Sequence, residues 1–349
     1  MADLVRSSAL LIGYGSVGRR HAAALADMFP SLAIVETDSA ARERARAAHP
    51  TSKVGSALAE LDAERFPWRD TVAVIATWGP SHARLFHELA DLGVRSVLCE
   101  KPLASSAADA DAMVARAARE GITLVVNHYL RYTGIAAALR GFAAEQTLGE
   151  PVALVGTGGA VCLATNGIHW IDFAAELFAV DPSSVTGSAF GEEINPRAPE
   201  LLIVGGTAVW SFGSGREAVL SFNNRSSVAL NLQVYFRDAV ADVRADDGVV
   251  RIARRDRDAV AAYPAVTRCG PASELLFDGR LPDTTGAAGT GVRAIREAAG
   301  SGPVTASGRV GAAAVSAVIG ALIAGRERRA IELPLSPGSP WHAEEWRIS

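Results

Sequence analysis

The residues Ala9-Leu10-Leu11-Ile12 run directly into Gly13-Tyr14-Gly15-Ser16-Val17-Gly18 and then into Arg19-Arg20-His21-Ala22-Ala23-Ala24-Leu25, which has a helical pattern. An apolar strand, a turn with glycines at these three positions and a helix restrict the chain to a βαβ unit of the dinucleotide-binding kind. The first glycine permits the tight turn, the second lets backbone approach a pyrophosphate, and the third lets helix and strand pack closely. The phosphates then sit at the helix N-terminus, where backbone N–H groups lack helical partners. Leu32-Ala33-Ile34-Val35 follows as a second strand and ends in Glu36, 18 residues beyond Gly18, where a ribose-binding acid belongs. A carboxylate there accepts hydrogen bonds from both ribose hydroxyls and repels a 2′-phosphate. NAD(H) is therefore expected over NADP(H), with Gly13, Tyr14, Gly15, Ser16, Val17, Gly18 and Glu36 as contacts. Asp38 is near enough for the same task but has an ordinary role as a helix N-cap before Ala40-Ala41-Arg42.

The first third of the chain goes on alternating strands and helices, which argues for a doubly wound parallel sheet. Residues 72–76 form a buried strand leading into Thr77-Trp78-Gly79-Pro80-Ser81-His82, and a helix over about 83–92 is stopped by Gly93. Residues 96–99 are the next strand, 107–119 the next helix, and 122–126 the strand that ends at Asn127-His128-Tyr129-Leu130-Arg131-Tyr132. Each strand delivers polar residues at its carboxyl end, the side on which open α/β sheets hold ligands. The glycine turn, Glu36, Thr77, Glu100, Lys101, Asn127 and Arg131 are thus expected to converge. Lys101 stands out by chemistry as well. Among 34 basic residues only Lys53 and Lys101 are lysines, and an ammonium, unlike a permanently charged guanidinium, can shift its pKa and exchange a proton. Lys101 is the first catalytic candidate.

Charge and composition exclude several classes of partner. Against 38 acidic residues the net charge is −4, and no basic stripe emerges for nucleic acid. Cys99, Cys162 and Cys269 are scattered without metal-ligand spacing, so no metal is expected. The first residues lack the charged-then-apolar plan of a signal peptide, and the most apolar stretch, 310–324, is shorter than a membrane span of ~20 residues and reads as a buried helix. A cytoplasmic location with no membrane partner is expected. At 349 residues the chain exceeds what one core usually organises, which predicts two domains.

These motifs together resemble the Gfo/Idh/MocA family of nicotinamide-dependent oxidoreductases, named for glucose-fructose oxidoreductase and inositol dehydrogenase. The resemblance rests on the glycine turn followed by Arg19-Arg20-His21, the acid at Glu36, the T-x-x-x-x-H segment from Thr77 to His82, Glu100-Lys101-Pro102, and the run Ala330-Ile331-Glu332-Leu333-Pro334-Leu335. It implies a Rossmann domain over 1–126, an α/β (α+β) domain with a large, mainly antiparallel open sheet over 127–335, and a C-terminal tail over 336–349. It also implies a cis bond between Lys101 and Pro102, a lysine beside the nicotinamide, Thr77, His82 and Glu100 on the cofactor side, and a homodimer or homotetramer formed through the C-terminal sheet. Gly167-Ile168-His169 matches the family's histidine beside the reacting substrate carbon, with Asp172 on the same helical face. Many relatives carry Asp four residues before this histidine. Here Thr165 stands at that position with Asn166 beside it, which leaves the substrate class open.

In the second domain, segments 152–155, 185–190, 207–212, 217–222, 227–236, 239–244 and 249–253 read as strands, several alternating apolar and polar residues. The glycine-rich stretch 286–291 has no strand before it and reads as a helix-entry loop. The resemblance implies reversible hydride transfer at a secondary alcohol carbon of a sugar, sugar derivative or (amino)cyclitol. His169 would take the hydroxyl proton and Lys101 would stabilise charge developing on the same oxygen. Asn127, His128, Arg131, Thr165, Asn166 and Asp172 are candidate substrate contacts, Arg131 being suited to a carboxylate. Three other readings share the architecture: an imine or tetrapyrrole-type reductase, an NAD-retaining sugar hydrolase or epimerase, and a non-catalytic NAD-sensing protein.

Overall fold

Strands covered on both faces need apolar side chains at every position, and the N-terminal third supplies them. The computed structural model describes residues 6–61, 65–159, 162–194, 202–223, 226–228, 230–244, 248–262, 269–282, 284–287 and 289–348. Two compact units emerge: 1–129 with 289–315 and 342–349, and 130–288 with 316–341.

In the first unit, β1 (Ser8–Ile12), α1 (Ser16–Met28), β2 (Ser31–Val35), α2 (Ser39–Ala48), β3 (Lys53–Gly55), β4 (Thr71–Ile75), α3 (His82–Asp91), β5 (Ser96–Cys99), α4 (Ala107–Glu120) and β6 (Thr123–Val126) alternate as expected. The strands form a parallel sheet in the order β3-β2-β1-β4-β5-β6. All five residues of β1 and of β4 are buried. Gly93 does end its helix, in the left-handed conformation at φ +94° that glycine alone adopts without strain. Asp38 is indeed the N-cap of α2, its side chain accepting from Ala41 N–H at 2.7 Å.

The second unit opens with α5 (Tyr129–Thr133) and α6 (Ile135–Glu145). It continues with β7 (Pro151–Gly159), α7 (Gly167–Phe178), β8 (Pro182–Ile194), β9 (Leu202–Phe212), β10 (Arg216–Asn223), β11 (Asn231–Phe236), β12 (Ala239–Arg244), β13 (Val249–Arg255), α8 (Arg257–Ala262) and β14 (Ala272–Arg280). With β15 (Ile331–Glu332) these strands make a nine-stranded sheet, β14-β13-β12-β11-β7-β10-β9-β8-β15, antiparallel except where β10 meets β7. Buried residues at every second position, Ala218, Leu220 and Phe222 in β10 and Ala239, Ala241 and Val243 in β12, give the sheet one apolar face. Within the expected strand over 227–236, the regular strand begins at Asn231, Val228 O already accepts from Gly159 N–H at 2.9 Å, and Ala229 lies outside the described residues.

Two late helices complete the fold. α9 (Thr290–Ala299) starts after Gly289, whose φ is +92°, so the glycine-rich stretch is a helix entry; Ala288 within it lies outside the described residues. α9 belongs to the first unit and packs on β4, β5, β6 and α1. α10 (Gly308–Glu327) has 20 residues, more than the apolar stretch suggested, and is long and apolar enough to cross a membrane by length and composition alone. Its apolar window is 72% buried within the protein, and its small residues have a packing reason. A Cβ on Gly311 would lie 2.6 Å from Val126 Cγ2, and one on Gly320 would lie 2.8 Å from Leu333 Cδ2. Fully buried Trp210 on β9 donates its indole N–H to Ala317 O at 3.0 Å, which satisfies the one polar atom of that side chain.

Candidate active site

In the first unit the chemistry lines up because the sheet is in register. Val35, Ile12, Ile75, Cys99 and Val126 form the last paired row across β2, β1, β4, β5 and β6. The residues one step further are Glu36, Gly13, Ala76, Glu100 and Asn127. Their amides still bond across the sheet: Gly13 N–H to Val35 O at 2.8 Å, Ala76 N–H to Ile12 O at 2.8 Å, Glu100 N–H to Ile75 O at 2.9 Å, and Asn127 N–H to Cys99 O at 2.9 Å. Five strands therefore deliver their functional side chains or turns along one edge.

The residues present fit a dinucleotide. Gly13, at φ +94°, has no room for a Cβ, which would come within 2.6 Å of Ala76 O; a Cβ on Gly18 would come within 2.1 Å of Gly13 O. A Cβ on Gly15 would meet nothing within 4 Å, so space lies open above the one glycine through which backbone is expected to approach phosphate. Gly15 is also the N-cap of α1, makes no side-chain cap, and is followed by a first turn free of acids. That leaves the positive end of the helix for an anion. Glu36 is aimed by backbone: Tyr14 N–H donates to its Oε2 at 2.6 Å and Asp38 N–H to its Oε1 at 2.8 Å. Tyr14 thus contributes its amide, while its side chain is buried and edges onto His49.

Behind Lys101 lies a buried network. His21 Nε2 is 2.6 Å from Glu100 Oε1, and Asn127 Nδ2 donates to the same oxygen at 2.7 Å. Burial opposes ionisation of Glu100, but the hydrogen bond and charge of His21, with Asn127 and Lys101, hold its carboxyl below its ordinary range. Sequence reasoning had no role for His21 beyond its place after the glycine turn. A signal was available, because Gly18, His21, Ala22 and Leu25 make up the buried stripe of α1. Lys101 is half-buried, and the bond to Pro102 is cis. His82 is fully buried, with Nδ1 2.8 Å from Pro102 O and Nε2 3.0 Å from Thr77 O. It braces the two loops rather than facing a ligand, and burial pushes its pKa down. Thr77 shares a 2.6 Å hydrogen bond with Ser81, and its methyl group borders the Gly13 turn. His128 is fully enclosed, with no exposed surface of its own.

In the second unit, α7 positions the rest. Asn166 is its N-cap, Thr165 and Asn166 are half-buried, and His169 sits in the first turn at 8% exposure. Asp172, one turn on, is held by Arg131: Nε lies 2.9 Å from both carboxylate oxygens and Nη2 lies 2.8 Å from Oδ1. Arg131, expected as a contact for a substrate carboxylate, is paired within the protein with Asp172, which is 3% exposed. Glu176, a further turn along, has a buried Oε2 without a hydrogen-bond partner among the described residues. Burial first, and then Asp172, raise its carboxyl to about 7 against the pull of Arg131 and Arg140. Among the described residues no cluster of His, Cys, Asp or Glu could hold a metal ion.

Comparison with known proteins agrees with the fold of the first unit. Residues 8–128 match the model of the Gfo/Idh/MocA oxidoreductase family, NAD-binding Rossmann fold. D-apiose dehydrogenase of Paraburkholderia graminis is 29% identical over 275 residues, covering 71% of this chain and 68% of that protein. 1,5-Anhydro-D-fructose reductase of Ensifer adhaerens is 44% identical over 59 residues, covering 17% of this chain and 18% of that protein. The solved complex of levoglucosan dehydrogenase with NADH and levoglucosan shares the fold at a TM-score of 0.73 and 18% identity, covering 94% of this chain and 100% of that one. With the parallel six-stranded sheet, the glycine turn and the Glu100-Lys101-Pro102 segment in place, residues 8–128 form an NAD-binding Rossmann domain of the kind found in Gfo/Idh/MocA oxidoreductases.

Proposed function

We propose that the protein catalyses reversible hydride transfer between NAD(H) and a secondary alcohol or ketone carbon of a sugar, sugar derivative or cyclitol. The observation behind this reading is the row that sets the glycine turn, Glu36, Glu100-Lys101 and Asn127 along one sheet edge. The named activities of the two sugar-metabolising relatives support the substrate class. Bound nicotinamide supplies the hydride chemistry. The backbone of Gly13 to Gly18 takes the pyrophosphate at the N-terminus of α1, and Glu36 takes the ribose. Each Glu36 oxygen already accepts one backbone N–H, and a carboxylate has about four acceptor sites, so both ribose hydroxyls can still be met. A 2′-phosphate would face this carboxylate, and NAD(H) is preferred for that reason.

In the oxidation direction His169 takes the substrate hydroxyl proton and Lys101 hydrogen-bonds the developing alkoxide; reduction reverses the two roles. Thr165 and Asn166, half-buried at the entrance of α7, supply neutral hydrogen bonds to substrate hydroxyls. Arg131 and Asp172 hold one another and orient α7. The test is nicotinamide absorbance while desalted protein meets NAD or NADP and a panel of inositols, aminocyclitols, hexoses, pentoses and nucleotide sugars. Substrate-dependent NADH formation is expected, with far less from NADP. Equal rates with NADP would refute the preference, and silence across the panel with cofactor still bound would favour the cofactor-retaining alternative.

A further inference from the structure

Residues 342–348, which follow the proline-rich stretch after β15, belong to the first unit. They are anchored at three points. His342 O accepts from Ala108 N–H at 2.9 Å, and His342 Nε2 lies 2.9 Å from Asp111 Oδ2, both at the start of α4. Trp346 N–H donates to Ser105 O at 2.9 Å. Ile348 is anchored by burial, only 2% exposed, and lays its backbone carbonyl over Gly79: a Cβ on Gly79 would lie 2.7 Å from Ile348 O and 3.0 Å from Pro102 Cγ. Gly79 is thus pressed between this segment and the proline that follows Lys101. On the other side of the same loop, His82 spans Pro102 O and Thr77 O. The loop that presents Thr77 and the turn that presents Lys101 are therefore clamped together twice, by His82 from within and by residues 342–348 from outside.

We propose that residues 342–348 are a positioning element of the redox unit, in which Ile348 seated on Gly79 and Trp346 bound to Ser105 hold the Thr77–His82 loop and the Lys101-Pro102 turn in one geometry for the cofactor. The inference rests on the placement of Thr77 and Lys101 on the cofactor side given above. No residue of the segment touches a reacting atom; its effect passes through Gly79 and Pro102.

The experiment compares the full chain with Ile348→Ala, Ile348→Leu and a deletion of 342–349, reading amide hydrogen exchange without ligand and NADH affinity by fluorescence titration. Exchange at the non-proline amides of 77–82 and 103–106 is expected to be about tenfold faster in Ile348→Ala and in the deletion, with β1 and β2 unchanged, as for a local opening. NADH affinity is expected to fall about tenfold in the same two variants, because a loosened loop must be ordered on binding, and to return in Ile348→Leu. Unchanged exchange and affinity in Ile348→Ala would overturn the proposal, as would a uniform rise in exchange across the whole first unit, which marks a merely structural role. Should the deletion fail to fold, the two point variants decide. The exchange arm needs no cofactor, so failure of the unmodified protein to bind NADH would count against the functional reading alone.

Discussion

A carboxyl group buried beside another carboxylate is driven toward its neutral form, and Glu176 is in that situation next to Asp172. Its value of about 7 in the folded protein compares with 4.5 for the free group. Between those pH values the folded chain keeps a proton that the unfolded chain has released. The contribution of this one group to stability is then largest below pH 4.5 and is lost as the pH rises to 7, by about 3 kcal/mol at most. Glu176→Gln keeps the shape without the charge and is expected to remove most of that fall. Urea unfolding at pH 5 and pH 8 checks it, and equal losses in both proteins would refute it. At the residues of the proposed chemistry, Lys101→Ala and His169→Ala are each expected to lose at least about a hundredfold in turnover while keeping NADH binding. Unimpaired turnover in either variant would remove that residue from the mechanism. These residues were legible because their types and places in the chain are unusual. The partnership of Arg131 with Asp172 was not, since 41 residues separate them and only packing brings them together. His21 was hidden for a similar reason: its partner Glu100 lies 79 residues away on another element.

The strand, turn and helix built around the three glycines were readable as an element, and each glycine can be tested on its own terms. Gly15→Ala meets no atom within 4 Å, so the folded protein is expected to melt as before while NADH affinity drops at least about tenfold, the methyl group standing where phosphate meets backbone. Gly18→Ala would drive a Cβ into Gly13 O and is expected to cost about 3 kcal/mol of stability, at the upper end for overpacking. Thermal melts paired with NADH titration separate the two outcomes, and similar behaviour of the pair would contradict both assignments. Elements with clear periods were found in the sequence, β12 to the residue. β14 was missed. Its burial alternates only between half-buried and exposed, and Glu274, Asp278 and Gly279 interrupt it, as suits an edge strand that needs no apolar face. β3, three residues long, is too short for any period to register.

Across the molecule, the second sheet has a face opposite its apolar one on which Val155, Val219, Tyr235 and Val240 are half-buried or exposed among polar neighbours. We propose that a homodimer or homotetramer forms through this face. Val219→Asp is expected to shift the mass seen by light scattering to that of one chain, and a mass unchanged by the substitution would exclude this face. The parallel first sheet and the mainly antiparallel second sheet could be read from the order of strand and helix patterns. The long-range closure could not, because nothing local in α9 states which sheet it covers. That closure has a consequence for synthesis. Ala294, Ile295 and Ala298 of α9 are fully buried in the first unit, as is Ile348 to within 2%. A ribosome that has released residues 1–129 has therefore not yet delivered a finished cofactor module. The nucleotide-binding unit closes only after the intervening unit has emerged.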